Sequence, residues 1–250
     1  MENNRRVVIV TGAGSGMGKE SALLFARQGD CVVVNSQSDS GQAVCDEILA
    51  QGGSAAFVRG DVSGEETAKA LVRCAVERFG RIDVLVNAAG IVTSGTVESL
   101  SAEEWDRTMA VNVRSVFLLA KHALPSLRES RGCIVSIASV IATKGTPDRA
   151  VYAASKGAVI SLSRTMAREY AADGIRVNCV SPGAVRSESF EKRFLSGPNG
   201  EEVLREMSNR QPLGRIGTPQ EVAQAVVYLA SPAAGYITGQ NLVMDGGIGV

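Results

Sequence analysis

Short β-branched runs alternate with helix-length amphipathic stretches along almost the whole chain, and this rhythm restricts the possible folds more than any other feature of the sequence. The runs are Val7 to Val10, Cys31 to Asn35, Ala55 to Val58, Val84 to Val86, Cys133 to Ile137, Arg176 to Val180 and Leu242 to Met244. Helical stretches begin near Gly16, Gly41, Glu65, Ser101, Val151 and Thr218. Two of these starts have capping-box spacing, Ser101 with Glu104 and Thr218 with Glu221, and Pro219 suits a first helical turn. Strands that return through helices pair side by side in one direction. The pattern predicts an α/β fold, a doubly wound parallel sheet with helices on both faces. With 45% hydrophobic residues and no break in composition, residues 1–250 are expected to share one core. The rhythm lapses at 184–217, a charged stretch broken at Gly197-Pro198-Asn199-Gly200. It reads as an excursion, either a lid over a ligand site or a solvated surface insertion.

Charge and cysteine content remove several functions. The 26 basic and 26 acidic residues cancel, so no broad attraction to nucleic acid or to an anionic membrane is expected. No stretch approaches the roughly 20 apolar residues of a membrane span, and the polar MENNRR start predicts no signal peptide. Cys31, Cys45, Cys74, Cys133 and Cys179 have no C-x-x-C spacing and read as small side chains in a reducing cytoplasm, with no metal site. His122, the single histidine, lies among Leu118, Leu119 and Leu124 and reads as a packing residue.

The first turn carries the clearest ligand signal. In VVIVTGAGSGMGKE, glycines 12, 14, 16 and 18 follow a strand and open a helix. Glycine lets backbone approach a pyrophosphate closely, and helix-start N–H groups attract its charge. The spacing is neither G-x-G-x-x-G nor a P-loop. Other small or polar residues fall where strands end: Asp61-Val62, Asn87-Ala88-Ala89-Gly90, Ser139 and Pro182-Gly183. Open α/β sheets bind ligands at that edge. Tyr152 and Lys156 are four apart on a probable helix, hence on one face. An ammonium about 4 Å from a tyrosinate would stabilise it by roughly 4 kcal/mol at an effective dielectric of about 20, enough to bring a phenol into the range of proton transfer near neutrality.

Thr11-Gly12-x3-Gly16-x-Gly18, Asn87-Ala-Ala-Gly90, Asn112, Ser139, Tyr152-x3-Lys156 and Pro182-Gly183, in this order, resemble the short-chain dehydrogenase/reductase family, and the match extends to Asp245-Gly246-Gly247. The resemblance implies a Rossmann-type sheet of seven strands, a nicotinamide cofactor and hydride transfer to a carbonyl or from a secondary alcohol. It implies Tyr152 as general acid or base, Lys156 lowering its pKa and holding the nicotinamide ribose, Ser139 polarising the substrate oxygen, and Asn112 positioning a water in a proton relay. Cofactor contacts would come from Thr11, Gly12, Gly14, Ser15, Gly16, Met17 and Gly18. Asp61 and Val62 would meet the adenine, Asn87, Ala88, Ala89 and Gly90 would line the cleft, and Pro182, Gly183, Val185 and Ser187 would approach the carboxamide.

Cofactor choice turns on the end of the second strand, Val34-Asn35-Ser36-Gln37, which has no acid to favour NAD. Ser36 is placed to bond a phosphate, which favours NADP. Neither Ser15 nor Gln37 brings a positive charge, so NAD stays open. Similar proteins act on 3-oxoacyl thioesters, sugars and polyols, or cyclic ketones, and the complete set of four residues argues against a non-catalytic dinucleotide-binding regulator. Ile91, Val92, Ile141, Ala142 and Phe190 suggest a partly apolar pocket, while Arg149, Arg186 and Lys192 could receive an acidic group. Apolar residues around the helices from Ser101 to Leu127 and from Val151 to Tyr170, with the resemblance, lead to the expectation of a homotetramer.

Overall fold

The computed structural model describes residues 5–249. Its strands are β1 (Val7–Thr11), β2 (Cys31–Ser36), β3 (Ser54–Arg59), β4 (Val84–Asn87), β5 (Cys133–Ile137), β6 (Arg176–Pro182) and β7 (Asn241–Met244). They form one parallel sheet in the order β3-β2-β1-β4-β5-β6-β7. The helices are α1 (Gly16–Arg27), α2 (Ser40–Ala50), α3 (Glu65–Phe79), α4 (Ala102–Met109), α5 (Ser115–Ser130), α6 (Ala150–Glu169), α7 (Glu188–Phe190), α8 (Gly200–Asn209) and α9 (Pro219–Ala230). Both expected capping boxes form, at Ser101 and at Thr218.

Alternate residues of β1 explain why the strands read as unbroken aliphatic runs. Val7 and Ile9 pack with Leu71 of α3 and Leu119 of α5, whereas Val8 and Val10 pack with Phe25 of α1 and Val226 of α9. A strand covered on both faces needs apolar side chains at every position. Each such aliphatic side chain stabilises the fold by about 1.5–3 kcal/mol through burial.

The chain runs outward from β1 through β2 to β3 and then crosses to β4 on the other side of β1. At that reversal the chain after β1 passes to α1 on one face of the sheet and the chain after β4 to α5 on the other, which places a crevice at the carboxyl edge. Several strands extend one or two residues past their aliphatic runs, into Thr11, Ser36, Asn87 and Pro182. Ladder pairing carries these residues, as in the register of Thr11 with Asn87 and of Asn87 with Ser136. The sheet therefore holds its polar edge rigidly.

Three local features differ from the sequence reading. The expected helix from Ser101 to Leu127 is split by a π-helical turn at Ala110–Arg114. Asn112, within that turn, accepts from the Ile91 N–H at 2.8 Å and donates to the Ile91 carbonyl at 2.9 Å and to Ser155 Oγ at 3.0 Å, so the bulge is tied to the chain after β4. His122 does not merely pack, because its Nε2 meets Glu65 Oε1 at 2.9 Å and joins α5 to the first turn of α3. Finally, Val116, Leu118, Leu119 and Ile160 are covered within the chain itself, leaving Phe117 at 49% exposure.

Residues 184–217 leave β6 and return with both ends tied, Arg186 N donating to Gly217 O at 2.9 Å and Gly217 N to Ala184 O at 2.9 Å. Between them lie α7, a π-helical turn at Glu191–Leu195 and α8, broken after Leu195 as the Gly197-Pro198 sequence suggests. No helix among the described residues is long and apolar enough to cross a membrane.

Candidate active site

β1 delivers the chain into the glycine turn at the crevice. Gly12 has φ +63°, and a Cβ there would lie 2.7 Å from Ala89 Cα, so the turns after β1 and β4 touch backbone to backbone. At Gly18 a Cβ would collide with the Gly12 carbonyl oxygen. Ser15 stands at the N-cap of α1 without a side-chain bond, and no acid occupies the first helical turn. The positive end of α1 thus faces the crevice uncompensated. Behind this cradle, the Thr11 hydroxyl accepts from the Ala88 and Ala89 N–H groups, each at 3.2 Å. Asn87 Nδ2 donates to Ser136 Oγ at 3.1 Å, while its buried Oδ1 has no partner. A glycine cradle, an uncapped helix start and an orphaned carboxamide oxygen fit a dinucleotide laid across the carboxyl edge.

A cavity of about 640 Å³ opens there. Its walls include Gly12, the turn at 15–18, the turn at 88–90, Ser139, Tyr152, Lys156, Pro182, Gly183, Val185 and Ser187. Most of the sequence-derived candidates are therefore brought together. Thr11 and Asn87 lie behind the wall, and Asn112 lies behind Gly90, where a Cβ would be 3.2 Å from Asn112 Oδ1 and 3.3 Å from Lys156 Nζ. Both N–H bonds of the Asn112 carboxamide are committed to Ile91 O and Ser155 Oγ. Its visible role is to hold the backbone after Gly90.

Gly14, Ser36, Asp61 and Val62 also lie outside this cavity's lining. Ser36 Oγ donates to the Ser38 carbonyl and accepts from the Gly41 N–H at 3.1 Å, so its hydroxyl is engaged in starting α2. Burial works to raise the Asp61 pKa, but hydrogen bonds from Ser63 and Arg107 outweigh it and hold the carboxyl at about 2. A cation that the sequence reading passed over stands nearby. Arg59, at the end of β3 and in register with Ser36, donates to the Gln37 carbonyl at 3.1 Å and to Asp39 Oδ1 at 3.1 Å. The signal was available once β2 and β3 were taken as neighbours.

Tyr152 and Lys156 occupy the first two turns of α6, on one face as their spacing requires. Ser139 follows β5, where its Oγ accepts from the Ile141 N–H at 3.3 Å, and it lines the same cavity as Tyr152. Lys156 is buried, its ammonium donating to the Ile137 carbonyl at 2.7 Å and lying 5.9 Å from the Tyr152 ring centroid. Burial lowers the Lys156 pKa to about 8. Burial raises that of Tyr152, and what opposes the rise is the Ser139 hydrogen bond, then the charges of Arg193 and Arg149. The sequence reading assigned that opposition to Lys156. In this structure the ammonium donates to the Ile137 carbonyl and keeps its charge near the phenol ring, and the charges of Arg193 and Arg149 add to the opposition.

The outer wall is built by the excursion: Phe190, Arg193, Phe194, Val203, Met207 and Arg210. Only Phe190 was singled out from sequence. The i, i+4 spacing of Val203 and Met207 on α8 was a usable sign of an inward face. A phenol and a serine hydroxyl that line one glycine-walled crevice can bind one substrate oxygen and move its proton.

A family model described as enoyl-(acyl carrier protein) reductase matches residues 12–249. An uncharacterized oxidoreductase of Thermotoga maritima is 43% identical over 244 residues, covering 97% of this chain and 96% of the relative. Meso-2,3-butanediol dehydrogenase of Serratia marcescens is 37% identical over 249 residues, covering 99% of this chain and 96% of the relative. Among solved structures, a variant of actinorhodin polyketide ketoreductase determined with NADPH superposes with a TM-score of 0.93 at 34% identity, covering 98% of each chain.

Proposed function

The chain belongs to the short-chain dehydrogenase/reductase family and is an oxidoreductase, and on that premise we propose that Tyr152 moves the proton while a hydride passes between a nicotinamide dinucleotide and a secondary alcohol or ketone. The observation that carries this reading is the convergence of Ser139, Tyr152 and Lys156 on the cavity that the glycine turn also lines. The bound nicotinamide would supply or accept the hydride. Ser139 and Tyr152 orient the substrate oxygen between two hydroxyls, and in reduction Tyr152 gives it a proton. Lys156 has N–H capacity beyond its bond to Ile137, available to a ribose hydroxyl beside Gly90. Gly12, Ser15, Gly16, Met17 and Gly18 hold the pyrophosphate. Thr11, Asn87 and Asn112 brace the turns that line the cleft. Kinetics and cofactor titration of Tyr152→Phe, described below, test the assignment.

NADP is the proposed cofactor form. Support comes from Arg59, whose guanidinium lies across the chain leaving β2, and from the NADPH in the solved relative. Ser36, favoured for this role from sequence, has its hydroxyl engaged locally. Arg59→Ala is expected to raise the dissociation constant for NADPH by about tenfold or more, the scale of a charge-assisted hydrogen bond, while that for NADH changes by less than about twofold. Fluorescence titration with both nucleotides reads the effect. Equal weakening of both would place Arg59 away from the 2′-phosphate.

A homotetramer is the proposed assembly. It is supported by the apolar surface the chain leaves uncovered, Trp105 at 43% and Phe117 at 49% exposure, with Leu242 at 37% and Val243 at 45% on β7. Light scattering at micromolar protein is expected to give the mass of four chains, and a monomer mass would contradict it. The five unpaired cysteines support action in a reducing cytoplasm.

A further inference from the structure

The cavity is charged unevenly. Besides Lys156, its walls carry Lys144, Arg149, Arg193 and Arg210 against a single carboxylate, Glu206. Glu206 pairs with Arg210 at 3.7 Å, and the Lys144 ammonium donates to the Ile248 carbonyl at 2.7 Å. Arg149 and Arg193 form no ion pair among the described residues. Arg149 donates to Ser94 Oγ at 2.8 Å and to the Asp148 carbonyl at 2.6 Å. Arg193 donates to Ser189 Oγ at 2.9 Å and stacks 5.4 Å from the centroid of Phe194. Each guanidinium is thus oriented by neutral partners and keeps N–H donors in reserve.

These two side chains come from different elements, Arg149 from the start of α6 and Arg193 from the excursion, and both line the cavity that holds the phenol. Arg193 has its pKa lowered by burial and then by the charge of Arg149, and both charges act on Tyr152. The backbone also fixes Arg149: the preceding Asp148 has φ +56°, an uncommon conformation for a residue with a side chain, and its carbonyl accepts from the Gly95 N–H at 3.0 Å. Two guanidiniums that line the cavity with Tyr152 and have no carboxylate partner among the described residues are suited to an anion as part of the ligand. Guanidinium forks match a carboxylate.

We infer that the substrate is an organic carboxylate, an oxo acid or the matching hydroxy acid, whose charged group is held between Arg149 and Arg193 while its reacting oxygen lies at Ser139 and Tyr152. The inference rests on the assignment of Tyr152 as the proton-transfer group. It narrows the broad class of secondary alcohols and ketones to anionic members and sets the site apart from one built for neutral diols or cyclic ketones.

The test has one arm that needs no turnover. Malonate and the neutral malonamide are titrated by calorimetry into the enzyme saturated with NADPH, in a buffer free of phosphate. Malonate is expected to bind about tenfold or more tighter than malonamide, with Arg149→Met and Arg193→Met each losing about tenfold and Arg149→Lys retaining part of the affinity. NADPH titration of each variant verifies that the fold is intact. In the second arm, 2-, 3- and 4-oxo acids are compared with their methyl esters, and the best acid is expected to exceed its ester about tenfold in kcat/KM, a ratio that falls in both methionine variants. Malonate binding no better than malonamide, or equally in the variants, overturns the inference. If neither acids nor esters are reduced, the oxidoreductase assignment at Tyr152 fails and the malonate arm alone decides whether an anion site exists.

Discussion

Tyr152→Phe is expected to lower kcat by about a thousandfold or more, while the NADPH dissociation constant stays within about twofold of wild type. The substitution removes one oxygen and keeps the ring, so the packing at the start of α6 is preserved. Ser139 keeps its bond from the Ile141 N–H. What disappears is the only phenol among the described residues of the cavity wall, with the proton it would deliver to a substrate oxygen. General acid–base groups of this kind contribute about 10²–10⁴ in rate. Steady-state kinetics on the best ketone, paired with cofactor fluorescence titration, separates loss of chemistry from loss of binding. Turnover within about tenfold of wild type would remove Tyr152 from the reaction.

Lys156→Met is expected to lose most activity and yet to stabilise the protein without cofactor. Burial holds the Lys156 pKa at about 8, against 10.5 for the free side chain. Below about pH 8 the folded protein carries a buried ammonium whose cost is fully present. As pH rises from about 8 to about 10.5 the folded state releases that proton before the unfolded state does, and the cost is relieved. Methionine has similar length and no charge, so the variant gains up to about 3 kcal/mol at pH 7, less about 1 kcal/mol for the lost bond to the Ile137 carbonyl. The advantage shrinks toward pH 10.5. Denaturant midpoints across pH 6–10 measure it, and a variant less stable than wild type at pH 7 would mean that the ammonium is better compensated than its single protein hydrogen bond indicates. Lysine at this position is then retained for what it does with cofactor and substrate, at the expense of the fold.

The parallel sheet and the positions of its strands were legible because a strand buried on both faces must be aliphatic throughout, and the runs from Val7 to Val10 and from Cys133 to Ile137 satisfy that condition. The meeting of Ser139, Tyr152 and Lys156 was legible from helical spacing and from the rule that ligands gather at strand ends. The electrostatics of the site were less so. From sequence, Lys156 is four residues from Tyr152 and ought to lower its pKa, but the spacing says nothing about Ile137, whose carbonyl takes the ammonium. Arg193 lies 41 residues beyond Tyr152 on a charged segment whose helical pieces are broken at Gly197-Pro198-Asn199-Gly200, so nothing local announced that its charge would act on the phenol. Asn112 was recognised as polar and important, yet the π-helical turn that aims it depends on the Ile91 backbone, a partner outside its own helix. Arg59 was hidden for the opposite reason: it is in register with the residue that was considered, one strand over.

The central claim is that the cavity between the glycine turn and Tyr152 transfers a hydride from a nicotinamide to a carbonyl carbon. Its most direct test is mass spectrometry of the alcohols formed when wild-type protein is incubated with a panel of oxo acids and neutral ketones and NADPH or NADH deuterated at C4 on either face. The account predicts one deuterium in the product, delivered from a single face of the cofactor, best with an oxo acid, and lost together with turnover in Tyr152→Phe. Purified protein that binds the dinucleotide but transfers no deuterium to any carbonyl, or that transfers it equally well without the Tyr152 hydroxyl, would contradict it.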